Sequence, residues 1–197
     1  MKLGVFDSFW DNQPNHLPLL RLRTDMSEPK EFNLKKSIQL IDQILDNQTP
    51  DEIYVDLVRM LADKNWRPHL VAFVTVLKLD PPEQQKYIGH LWKCLCIGTW
   101  VSPQLLVTLS KIDFNFDEKS ARILKDSGIE QFSAAYLSEG EMNERNFTYE
   151  ITTNKILNTL RYLKERTYDQ DIDDDNGGDI AKGWDTQLTE LRRLGML

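Results

Sequence analysis

The sequence is short of cysteine and histidine, carries no excess of positive charge and has no long apolar run, and each shortage removes a class of function. Its two cysteines, Cys94 and Cys96, are one residue apart and cannot close a useful disulfide, so there is no secreted framework. Three histidines, His16, His69 and His90, limit schemes built on a general base. No G-x-S-x-G occurs, and no glycine-rich loop precedes a helix to cradle phosphate. The apolar run at 70–79 is broken by Thr75 and Lys78 and falls far short of a membrane span of about 20 residues. The first residues, interrupted by Asp7 and Asp11, do not read as a signal peptide. A cytoplasmic protein without a membrane segment is the expectation.

Charge is concentrated in one place. The chain has 31 acids against 24 bases, a net charge of -7. The stretch 169–179 holds six aspartates and no base, so the remainder has 25 acids against 24 bases and is nearly neutral. With no basic patch, direct binding to a nucleic-acid backbone is not expected.

What the chain does have is a repeat. Val74-Thr75-Val76-Leu77-Lys78-Leu79-Asp80 aligns without a gap on Val107-Thr108-Leu109-Ser110-Lys111-Ile112-Asp113 at an offset of 33. Each copy follows a tryptophan and a proline, Trp66 and Pro68 in one, Trp100 and Pro103 in the other. Helical periodicity surrounds both. Leu34, Ile38, Ile41 and Leu45 form an amphipathic stripe with Asn33 placed as N-cap. Thr49-Pro50-Asp51-Glu52 reads as a capping box with proline at the first helical position. Tyr87, Ile88, Leu91, Trp92 and Leu95 define another stripe that ends at Gly98, and Ile156, Leu157, Leu160 and Leu163 support a long helix over 149–166.

The fold expected is therefore a single all-α domain over 1–197. Its parts are an irregular, proline-interrupted arm (1–32), a helical repeat core (33–127), additional helices (128–166), an acidic and solvated loop (167–183) and a docked terminal helix (184–197). Residues 138–143 read as a loop. The core resembles HEAT and armadillo α-solenoids in repeat length and helix pairing, which implies stacked antiparallel hairpins. The period of 33 is shorter than the HEAT period of about 40 and nearer that of tetratricopeptide units, whose residue pattern is absent.

Candidate chemistry is sparse. His90 and Cys94, four apart, could share a metal, but Cys96 lies about 200° from Cys94 around a helix of 3.6 residues per turn, and no second cluster completes the ligands. His69 and Arg67, at the start of the first repeat helix, could meet an anion at backbone N–H groups; a structural histidine bonded to a carbonyl is the simpler role. Asp171-x-Asp173-x-Asp175 imitates a calcium loop without supplying the glutamate at the twelfth position. No catalytic residue, metal or cofactor is assigned.

The favoured function is a non-enzymatic interaction module of a bacterial, immunity-like type that binds one basic protein partner. Its partner-binding residues would be Trp66, Arg67 and Trp100 at the helix starts, with Asp171, Asp173, Asp174 and Asp175 in the acidic stretch. The rival is an enzyme or small-molecule binder with an inter-helical site near Arg67, His69 and His90. A self-associating subunit is a third reading.

Overall fold

The computed structural model describes residues 3–10, 16–22, 33–125, 129–145, 153–167, 173 and 175–197. Among them every regular element is helical. Two 3-10 turns, Gly4–Phe9 and Leu17–Leu20, are followed by α1 (Leu34–Asn47), α2 (Pro50–Leu61), α3 (Trp66–Lys78), α4 (Pro81–Gln85) and α5 (Ile88–Ile97). The chain continues with α6 (Ser102–Ile112), α7 (Phe116–Lys125), α8 (Ile129–Ser133), α9 (Glu139–Asn143), α10 (Thr153–Glu165) and α11 (Gly177–Arg193).

The two copies of the repeat are α3 and α6, and they form the centre. All residues from 68 to 77 are buried in α3, and α6 is buried from 102 to 109. Fully burying a large aliphatic or aromatic side chain is worth roughly 1.5–3 kcal/mol. An exposed ion pair such as Lys64–Glu144 contributes about 0–1 kcal/mol, so packing around these two helices dominates stability. The helices run parallel. At their starts the Trp66 and Trp100 rings lie 5.1 Å apart. At their ends, neighbouring glutamines of α4 donate to both: Gln84 Nε2 to the carbonyls of Leu77 (3.3 Å) and Leu79 (2.9 Å), and Gln85 Nε2 to that of Ile112 (2.9 Å). These carbonyls have no partner within their own helix, and the glutamines satisfy them.

Local signals account for most boundaries. Asn33 accepts from Lys36 N–H, and Thr49 and Glu52 form the reciprocal capping box that the sequence announces. Gly98 ends α5 at φ 114°, where a side chain would be strained. The arm packs inward: Phe6, Phe9, Leu19 and Leu22 are buried, and α1 lies on its two turns. Gly4 (φ 62°) leaves no room for a Cβ beside the Asp56 carboxylate, which also accepts Val5 N–H at 2.9 Å. Trp92 is buried, as its place on the stripe predicts.

The stripe from Tyr87 to Leu95 belongs to α5, with Tyr87 as its N-cap and the turn at 86–87 separating it from α4. Two elements depart from expectation. Residues 139–143 are a short helix, since Ser138 and Glu141 cap its start reciprocally. The terminal helix begins at Gly177, seven residues before Trp184, so the second half of the expected acidic loop is helix. Its start is fixed by close packing: a Cβ on Gly177 would sit 2.4 Å from the Lys155 carbonyl oxygen, and Thr159 Oγ1 donates to the Gly177 carbonyl at 3.0 Å. Glycine allows this approach of α11 to α10. Arg166, just past α10, pairs with Asp185 in the middle of α11, so these two helices also run parallel. Both α10 and α11 pack on α6, which makes α6 the hub.

Candidate functional site

Parallel packing gathers the starts of α3, α6, α10 and α11 at one end of the molecule. Trp66 is the first residue of α3, and Trp100 lies two residues before α6. Trp100 is 43% exposed and Trp66 half-buried. Their rings meet at an interplanar angle of 53°. The Arg67 guanidinium, exposed, lies 4.7 Å from the centre of the Trp66 ring, and Lys155 Nζ lies 5.9 Å from that of Trp100. Both cations are within cation–π range. Against Trp66 the ring of His16 also stands edge-on at 6.2 Å and itself stacks on Trp10 at 5.8 Å. Burial, and then the positive charge of Arg67, push the His16 pKa below its ordinary value.

Beside Trp100 a cavity of about 500 Å³ opens between the Leu17–Leu20 turn, α6, α10 and α11. Leu20, Val101, Ile180 and Trp184 give it apolar walls; Arg21, Lys155, Gln104, Gln187 and Asp179 supply the polar groups. Gln104 Nε2 donates to the Leu20 carbonyl at 3.3 Å, which fixes the orientation of its amide. Trp184 Nε1 donates to the Leu19 carbonyl at 3.2 Å and ties the arm to α11.

Of the residues singled out in the sequence, Trp66, Arg67 and Trp100 are brought together. Of the acidic ones, Asp173 and Asp175 lie at the start of α11. Asp171 and Asp174 lie outside the described residues. Asp173 is buried and accepts from Gly178 N–H and Asp179 N–H, each at 2.9 Å, while Asp175 accepts from Gly177 N–H at 3.0 Å. Carboxylates at a helix N-terminus complement its positive end. The expectation that this run is solvated is therefore corrected at Asp173.

Arg67, His69 and His90 do not form one site. His69 is buried with both ring nitrogens engaged, Nε2 at 2.8 Å from the Asp63 carbonyl and Nδ1 at 2.7 Å from Thr99 Oγ1. A carbonyl only accepts, so Nε2 carries the proton and Nδ1 accepts the threonine hydroxyl. Burial pushes the His69 pKa down to about 4. His90 lies against a different residue, Tyr54, with its Nε2 3.3 Å from the phenol oxygen. Cys94 and Cys96 are fully buried, and burial raises both thiols. Among the described residues no three His, Cys, Asp or Glu side chains are grouped to hold a metal ion.

Sequence reading missed Arg21, Gln104 and Lys155, and marked Asp179 only as part of the acidic stretch. Nothing local ties them to Trp100, because their proximity to it arises from the packing of the arm, α10 and α11 around α6. Compared with protein-family models, curated proteins and solved structures, the chain matches none.

Proposed function

We propose that this chain is a non-enzymatic protein-interaction module that holds one partner at the tryptophan-bearing starts of α3 and α6. The observation that supports it is the half-exposed Trp66–Trp100 pair flanked by Arg67 and Lys155. Tryptophan and arginine dominate interface hot spots, because a large rigid surface is covered at little entropic cost. On this reading residues 33–127 act as a HEAT-like stack of helical hairpins whose parallel inner helices present their starts to the partner. The narrower form, an immunity-type protein that meets a basic partner through 169–179, has fewer carboxylates to use than the sequence offers, since Asp173 and Asp175 bond to the backbone of α11.

Photo-crosslinking in the native cell tests the reading. Benzoylphenylalanine at position 100 should yield one adduct of defined mass, lost when Trp66→Ala is added. The same probe at position 114, where Phe114 is 87% exposed, should not yield it. The same adduct from both positions, or no adduct at 100, would overturn the proposal.

A further inference from the structure

The strip formed by Trp66 and Trp100 leads into the cavity beside Trp100, and among the described residues along it the cations outnumber the acids. Arg67 lies over one ring, Lys155 over the other, and Arg21 stands at the cavity, whereas Asp179 is the single acid in its lining. The starts of four helices, each of eleven residues or more, add the partial positive charge of their backbone N–H groups. Asp173 and Asp175 offset this at α11, but the start of α6 has no side-chain cap.

We infer that this strip and cavity bind an acidic segment of a partner protein, with one aromatic or large aliphatic residue of that segment seated in the cavity. The inference rests on the interaction reading above and names the chemistry of the partner. A volume of about 500 Å³ lies in the range of sites that take a small apolar ligand. The successive spacings of 4.7, 5.1 and 5.9 Å bound the strip from Arg67 to Lys155. Its length is at most on the order of 15 Å, the reach of four or five extended residues. A small molecule filling the cavity would leave Trp66 and Arg67 unused, while a peptide engages both. Single-stranded nucleic acid also stacks on aromatic rings beside cations. It is disfavoured because a long polyanion, unlike a short segment, would extend past the strip along a chain whose net charge is -7. A short acidic segment instead meets the local field within a Debye length of about 10 Å.

The test is fluorescence polarisation on the full chain with labelled heptapeptides. One is made of aspartate and glutamate around a central phenylalanine, a second has alanine at the centre, and a third has lysine and arginine in place of the acids. An oligothymidine of similar length completes the set. The acidic phenylalanine peptide should bind saturably, the alanine peptide about tenfold more weakly, and the basic peptide and oligothymidine more weakly still. Arg67→Glu and Trp100→Ala should each weaken the acidic peptide by about tenfold, with Phe114→Ala without effect. Arg67 is exposed, so its charge reversal probes binding without disturbing the core. Equal or tighter binding of the alanine peptide, the basic peptide or the oligothymidine would overturn the inference, as would no saturation by the acidic peptide at about millimolar concentration. A position-100 adduct together with a preference for basic peptide would sink this inference alone; no adduct at position 100 would sink the interaction reading as well.

Discussion

The two copies of the repeat share four of seven aligned residues yet are used differently at their ends. Along their bodies they behave alike. Thr75 and Thr108 are both wholly buried, and each donates its hydroxyl to the carbonyl four residues back, Val71 at 2.8 Å and Gln104 at 2.9 Å. Lys78 and Lys111 both reach the C-terminal region, Lys78 to the Met196 carbonyl and Asp42, and Lys111 to Asp185. The closing aspartates diverge. Asp80 is exposed and precedes α4, whereas Asp113 is buried and accepts from Trp92 Nε1 (2.6 Å), Lys119 Nζ (2.8 Å) and Asn115 N–H (2.9 Å). The openings diverge too, with Trp66 inside its helix and Trp100 in the loop before α6. Repetition thus preserves packing, and the specialised contacts sit where the copies begin and end.

The largest effect that could break this comparison is expected at the aspartates. Burial pushes the Asp113 carboxyl up, but bonds from Lys119, Trp92 and Asn115 together hold it below the ordinary carboxylate value. Asp113→Ala would leave the Trp92 indole N–H buried without an acceptor and Lys119 without its counter-ion, and should cost about 3 kcal/mol in urea unfolding. Asp80→Ala should stay within about 0.5 kcal/mol. Equal losses would mean that the two ends are not distinguished.

A nearly equal effect is expected from pH, because the position occupied by His69 in the first copy is Ser102 in the second. The folded pKa of His69 is depressed to about 4 from 6.5. Between those values the unfolded chain takes up a proton that the native state refuses. Stability is therefore complete above pH 6.5 and falls by up to about 3 kcal/mol as pH drops toward 4. Burial also lowers His16 and His90, which act in the same direction. Urea midpoints at neutral and acid pH should show this loss, and His69→Gln should flatten most of it. An unchanged slope would place the titrating group elsewhere.

Features legible in the sequence were those encoded within one turn or one stripe: the Asn33 cap, the Thr49–Glu52 box, the buried face of Trp92 and the shared pattern of α3 and α6. Gly177-Gly178 reads as a loop because the reason for glycine at 177 is the Lys155 carbonyl, a partner on another helix. The Ser138–Glu141 box does not announce a helix, because that helix has no buried residue and so no apolar stripe. At the candidate site, Trp66, Arg67 and Trp100 could be picked from their places before the repeat. Arg21, Lys155 and Asp179 come from elements whose docking on α6 leaves no periodic trace.

A smaller difference should separate the two lysines. Lys111 and Asp185 are both mostly buried, and Arg166 shares the same carboxylate; Asp42, the partner of Lys78, is nearly half-exposed. Lys111→Met should cost about 2 kcal/mol and Lys78→Met about 1 kcal/mol, since Asp185 is the more shielded from water and would keep only the exposed Arg166 as a partner. The reverse order would show that the C-terminal region is held chiefly through the first copy.

The smallest effect sharpens the comparison most, because equality is expected. Thr75→Val and Thr108→Val each remove a hydroxyl bonded to a helix carbonyl that already has its own acceptor role in the turn. The loss therefore strands no buried group. Valine keeps the branched shape and fills nearly the same space, so neither helix has to repack. Each change should shift stability by less than about 1 kcal/mol, and the two shifts should agree within about 0.5 kcal/mol in the same urea titration. A disparity larger than that would mean that the buried middles of α3 and α6 are not equivalent environments, and that the repeat is one of sequence without being one of packing.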